Sequence, residues 1–236
     1  MNETPDLGRV WLGVAAQVWH RPPGRVERAL AALLRSDGLA RALLSTPSLL
    51  LPWLLASIAV LGAGTVASLA TGTALVPLLA PVVAAAGIAY AYGPGVDPAY
   101  ELTRTLPIGD RMVLLVRVPA VFGTDALLGL AASAASAHAA AVTFGWLVPM
   151  AAVSAFALAV ATLTRSANTG VAAGLTAWCL AVLSARAVTG HAAAAVARPV
   201  LLVPYAVLAV VCAAVVLIGT STPAAPGSGP AKRGWQ

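Results

Sequence analysis

Six apolar stretches, each close to the length of a membrane-crossing helix, follow one another through the last four-fifths of the chain. A bilayer-spanning helix needs about 20 predominantly apolar residues. The pattern predicts spans over residues 48–70, 73–92, 112–136, 139–163, 169–188 and 200–219. An alanine-rich run around His138 blurs the turn between the third and fourth spans. The predicted fold is an all-α integral membrane protein with six transmembrane helices.

The segments that flank the spans have different patterns. Residues 1–47 hold two stretches with apolar residues at helical spacing, separated by Pro22 and Pro23. We expect two amphipathic helices that lie on the inner membrane surface; alternatively, they pack on the protein's own cytoplasmic face. Residues 220–236 are rich in Pro, Gly and Ser and are predicted to be disordered. The apolar positions are Leu7, Val10, Trp11, Val14 and Val18 in the first stretch, and Leu30, Leu33 and Leu34 in the second, residues 25–35.

Composition places the chain in a membrane. Of its 236 residues, 60% are hydrophobic and 9% are charged, whereas soluble domains have about 25% charged residues. So much apolar surface cannot be hidden in a soluble core of this size. The net charge of +6 does not indicate nucleic-acid binding, because no Lys/Arg stripe with interleaved aromatic residues is present. We therefore expect a multi-pass protein of the cell membrane, in contact with the lipid bilayer.

The distribution of basic residues predicts the orientation of the spans. Segments that share one side in a six-span topology carry twelve of the fourteen Lys and Arg residues, and the other side carries Arg186 and Arg198. Cytoplasmic loops are enriched in Lys and Arg. Both termini are therefore predicted to be cytoplasmic.

The residue inventory argues against catalysis by this chain. A phosphate loop needs a lysine beside a Gly-rich turn, and the single lysine, Lys232, lies in the tail. The three histidines are scattered, no HExxH or CxxC occurs, and Cys179 and Cys212 lie within apolar runs. We expect no catalytic residue, no metal site and no cofactor bound by this chain.

Three charged residues lie within the bounds of the predicted spans: Arg117, Asp125 and Arg186. An ionised carboxylate that faces lipid costs several kcal/mol, so Asp125 should face protein or water. Asp125 forms either a structural ion pair, with Arg186 as a candidate partner, or a polar point on a substrate or proton path.

Small residues and prolines predict features of helix packing. Gly170 and Gly174 form a GxxxG pattern in the fifth span, and such patterns let helix backbones approach closely in lipid. Prolines within a helix remove a backbone hydrogen bond and kink it. We expect kinks in four spans, at Pro52, Pro77, Pro81, Pro119 and Pro149.

Residues 93–111, GPGVDPAYELTRTLPIGDR, form the longest polar interruption between two spans. Pro98 suits the first turn of a helix, Asp97 can cap it, and Pro107 with Gly109 would end it. The stretch predicts a short helix outside the membrane, over residues 98–106.

This stretch resembles a segment of the permease subunits of type-2 ABC exporters. There an acid–leucine pair and a Leu-Pro pair follow the second of six spans, as Glu101-Leu102 and Leu106-Pro107-Ile108 do here. The N-terminal amphipathic region and the six spans are similar to that class too. The Gly-Thr that usually precedes the acid–leucine pair is replaced by Ala99-Tyr100.

The resemblance implies a coupling helix that docks on a separate ATPase subunit. It implies an exporter of a hydrophobic or amphipathic substrate, with ATP and Mg bound by that ATPase and a second permease subunit completing a homodimer. The loop over residues 189–199 matches a position where that class has short re-entrant outer helices, and here it is brief. The implied ATPase contacts are Glu101, Leu102, Arg104, Thr105, Leu106 and Pro107.

Two alternatives stay open from the sequence. The polar stretch is an ordinary cytoplasmic loop of another kind of six-span protein, or the chain is a non-transporting membrane anchor or regulator whose N-terminal segment captures a signalling partner.

Overall fold

The structure, a computed structural model, describes residues 24–34, 47–91, 110–136 and 144–220. Every regular element in those ranges is helical, and none of their residues forms a strand. The helices are α1 (Arg25–Leu34), α2 (Pro47–Thr71), α3 (Val76–Ala91), α4 (Asp110–Ala135), α5 (Leu147–Thr164), α6 (Ala167–Thr189), α7 (Ala194–Ala197) and α8 (Leu202–Gly219), with a 3₁₀ turn at Pro199–Leu201. The all-α fold class is confirmed for this part of the chain.

The chain divides into two units, Met1–Ser45 and Thr46–Gln236. In the first unit, α1 forms where the pattern predicts an amphipathic helix. At its N-terminus the Gly24 amide donates a hydrogen bond to the Glu27 Oε2 at 3.3 Å. The other predicted amphipathic helix and residues 221–236 of the tail lie outside the described residues.

In the second unit, five helices are long and apolar enough to cross a membrane: α2, α4, α5, α6 and α8 with its preceding 3₁₀ turn. The sixth apolar helix, α3, has 16 residues in its described portion. Large apolar side chains on the outer helices are exposed, and Val188, Val203, Val210 and Ile218 are each 68–78% accessible. Lipid, unlike water, tolerates such a surface. These features are those of a multi-pass membrane protein.

Helices α3 and α5 lie at the centre of this unit. In α3 nine of 16 residues are buried, and in α5 nine of 18. Helix α5 packs against α3, α6 and α8, while α3 also packs against α2, α4 and α6. The buried positions of α3 are mostly Ala, Pro and Gly, and small side chains are what allows helix backbones to approach closely in lipid.

The contact between α5 and α6 is built on Gly170 and Gly174. A Cβ at Gly170 would lie 2.6 Å from the Ala157 carbonyl oxygen, and one at Gly174 would lie 3.0 Å from the Ala157 Cβ. A sharp turn joins the helices: Arg165 ends α5 in the left-handed region, with φ of 53°, and the Ser166 hydroxyl accepts a hydrogen bond from the Thr169 amide at 3.4 Å. The close approach therefore depends on residues without side chains.

The structure corrects two details of the predicted spans. The fourth helix begins at Leu147, after a turn over residues 144–146, and not at Ala139. Pro149 explains the shift, because in the first turn a missing N–H removes no helical bond. Pro77 lies in the first turn of α3 for the same reason. The expected kinks at Pro77 and Pro149 were therefore wrong, while Pro52, Pro81 and Pro119 do lie inside helices.

The connection between α6 and α8 folds onto the bundle through α7. Ala195 and Val196 are buried, and the Tyr205 hydroxyl donates a hydrogen bond to the Ala195 carbonyl oxygen at 3.2 Å. The helical element in this loop has four residues, and its Ala195 and Val196 belong to the same buried apolar cluster as Trp146.

Replacing Gly170 with Ala should destabilise the protein by about 1–3 kcal/mol, the usual cost of adding a methyl group to a filled contact. The matched control is Gly62→Ala in α2, where a Cβ meets nothing within 4 Å. Thermal unfolding in one detergent compares the two variants with the unmodified chain. Equal stability of the two variants would contradict the described α5–α6 contact.

Candidate functional site

Asp125 is the one charged residue that the described part of the chain buries, at 1% exposure. It lies in α4 on a face formed by Val121, Asp125, Gly129 and Ser133, all of which are buried. Residues four apart share one face of a helix. That face turns towards the bundle interior, so the carboxyl group lies among protein side chains and away from lipid.

Helix α2 supplies the polar side chains that face the Asp125 carboxyl. They are the Ser57 hydroxyl and the Trp53 indole N–H, which stand one helical turn apart on α2. Ser57 is 1% exposed. The site therefore joins two helices that are not consecutive in the chain.

Helix α3 completes the site by leaving space for the Trp53 ring. A Cβ at Gly87 would collide with the Trp53 Nε1 and would lie 3.0 Å from Val121 Cγ1. Only glycine lets the indole edge lie against the α3 backbone beside α4. A second tryptophan, Trp146, covers Gly129 in the same way, because a Cβ there would lie 2.6 Å from its Cη2.

The polar groups of the site are not satisfied in this conformation. Neither carboxylate oxygen of Asp125, nor the Ser57 Oγ, nor the Trp53 Nε1 completes a hydrogen bond of ordinary geometry with another described residue. A buried polar group left without a partner costs about 1–3 kcal/mol. The polar atoms of the three side chains thus face one another at solvent-inaccessible positions, with unused hydrogen-bonding capacity.

In the described part of the chain, the helices around Asp125 place no positive charge next to its carboxyl group. The described sequences of α2 and α3, the helices packed against α4, contain no Lys, Arg or His. On α4 itself Arg117 is eight residues away, or about 12 Å along the helix axis at ~1.5 Å per residue. Arg186 is exposed in the last turn of α6. Asp125 accepts no hydrogen bond from either arginine.

The structure therefore does not bring Asp125 and its predicted ion-pair partner together. The hypothetical ion pair of Asp125 with Arg186 is not formed. Trp53, Ser57 and Gly87 belong to the site and were not among the predicted site residues. One sequence feature could have indicated Trp53 and Ser57: they lie four residues apart, on one helix face, in an otherwise apolar span. No pattern in the sequence indicated that α2 and α4 are neighbours.

The remaining predicted site residues are placed as follows. Gly170 and Gly174 lie in the α5–α6 contact, and Arg117 is half-buried on α4. Within the described ranges, no three His, Cys, Asp or Glu side chains gather as metal ligands. The predicted ATPase contacts lie outside the described residues: Glu101, Leu102, Arg104, Thr105, Leu106 and Pro107.

Comparisons of this chain with protein-family models, with curated proteins and with solved structures find no match.

Replacing Arg186 with Gln should change the free energy of unfolding by no more than about 0.5 kcal/mol, as expected of an exposed position. Arg198→Gln, also exposed, is the control. Chemical unfolding in detergent measures both variants. If Arg186 were the partner of a buried Asp125, its loss would cost about 3–5 kcal/mol, and a value in that range would refute the separation described here.

Proposed function

We propose that this chain is the membrane-spanning permease subunit of an ABC exporter, driven by a separate ATPase subunit that binds ATP and Mg. The proposal rests first on the Glu101 to Ile108 segment and its resemblance to the coupling helix of type-2 exporters. It also rests on the order of elements, because six apolar helices follow an amphipathic N-terminal region. In this proposal all six cross the cell membrane, with both termini in the cytoplasm.

The strongest structural support for the proposal is the pair of helices that residues 92–109 connect. They join the end of α3 to the start of α4, and these two helices pack directly against each other. Helix α3 also contacts α2, α5 and α6. A partner that displaces the connecting segment would therefore move the central helix of the bundle and the helix that carries Asp125 together.

The rest of the assembly follows from this arrangement. A homodimer of permease subunits places a substrate path between two bundles. The path would be lined by apolar helices with few charges, which suits a hydrophobic or amphipathic substrate moving outward. ATP binding would draw two ATPases together, shift the coupling helices and open that path.

Co-purification tests the proposal. The tagged chain, extracted from its native membrane in mild detergent, should bring down an ATPase subunit and its ATP hydrolysis. Glu101→Arg should reduce the recovered ATPase activity about tenfold, which corresponds to ~1.4 kcal/mol of binding energy. Arg233→Glu, a charge reversal in the predicted tail, is the control and should leave the activity unchanged.

Two results would overturn the proposal. One is the absence of any ATPase from the purified complex. The other is an unchanged complex in the Glu101→Arg variant. Recovery of a signalling protein in place of an ATPase would favour a membrane anchor or regulator.

A further inference from the structure

The unpaired donors and acceptors of Asp125, Ser57 and Trp53 can be matched with one another. A carboxylate offers only acceptors, a serine hydroxyl offers one donor and two acceptor lone pairs, and an indole offers one donor. All three groups can be paired within the site in either protonation state, because a carboxylate can accept from both the Ser57 O–H and the Trp53 Nε1–H. With a protonated carboxyl, the acid O–H donates to the Ser57 Oγ, and the Trp53 Nε1–H donates to the carbonyl oxygen of the acid. The hydrogen bonds therefore permit the protonated state, and the electrostatics of the site decides between the two.

Burial without a compensating positive charge favours the protonated state. Burial away from water disfavours an ionised carboxylate unless an opposite charge or a metal compensates it. The described parts of α2 and α3 supply no cationic residue. The basic residues that α4 carries are Arg111 and Arg117, fourteen and eight residues before Asp125. The nearer of them is about 12 Å away along the axis.

We propose that Asp125, Ser57 and Trp53 form a proton-binding site sealed between α2, α3 and α4. In the packed bundle the site holds one proton on the Asp125 carboxyl. When α4 moves away from α2 and water enters, the acid releases that proton to water and becomes a carboxylate, which water stabilises. Opening of the bundle is thereby linked to release of a proton, and closure to its uptake.

The site does not depend on the proposed ATPase, since this chain alone supplies all three side chains. Failure of the co-purification experiment would leave the site intact, and an ionised Asp125 would leave the proposed coupling helix intact. Each proposal can therefore be wrong without affecting the other.

Infrared spectroscopy of the full chain in lipid nanodiscs at neutral pH tests the inference. The difference spectrum of the unmodified chain minus Asp125→Asn should contain the carbonyl stretching band of a protonated carboxylic acid. Trp53→Phe removes the donor of the proposed hydrogen bond to that carbonyl and should move the band to higher wavenumber. Ser154→Ala, which removes a buried hydroxyl on α5 that does not face Asp125, should leave the band in place.

The band should also shift slowly after transfer to D₂O, because the site is sealed. A carboxylate band in place of the acid band in the difference spectrum would overturn the inference. So would an acid band that ignores both Trp53→Phe and Ser57→Ala. These two variants keep Asp125, so the test survives if Asp125→Asn fails to fold.

Discussion

The close approach of α2, α4, α5 and α6 to the small-residue surface of α3 is the contact on which the rest of the structure depends. Lipid provides no hydrophobic force to bring helices together, so their association relies on packing and on interhelical hydrogen bonds. Ala80, Ala84, Ala85 and Gly87 give α3 a surface without long side chains. Interior hydrogen bonds then become possible, and the Trp178 indole donates to the Leu78 carbonyl oxygen at 2.8 Å.

The polar site is a consequence of this packing. Because Gly87 leaves room for the Trp53 ring, α2 can bring an indole N–H and the Ser57 hydroxyl to the face of α4 that carries Asp125. An isolated ionised carboxyl group that faces lipid would have a high free-energy cost. Between three helices it becomes a group whose protonation depends on whether those helices stay together. The segment proposed to receive the ATPase joins two of the three, so force applied there would reach the site directly.

The sequence predicted the part of the fold that rests on long apolar runs. Hydropathy located the five helices that are long enough to cross a membrane and the shorter apolar helix α3, because a membrane-crossing helix must satisfy its backbone internally and be apolar along its length. It failed at the start of α5, because apolar residues continue through the turn over residues 144–146 while Pro149, in the first turn, suits a helix that begins at Leu147. Asp125 was visible as a charge within a span, but its partners were not. Which helices neighbour α4 is a tertiary property, and Arg186 was chosen by charge alone. The coupling helix, the orientation and the dimer stay predictions.

A double-mutant cycle between Trp53 and Asp125 tests the central claim, that α2 and α4 meet at a shared polar site, most directly. The unfolding free energies of Trp53→Phe, Asp125→Leu and the double variant give the coupling between the two side chains. Interhelical hydrogen bonds in membranes average about 0.6 kcal/mol and reach about 1.7, and a coupling in that range is expected here. The cycle of Trp53→Phe with Ser154→Ala should give a coupling near zero. A Trp53–Asp125 coupling equally near zero would contradict the account.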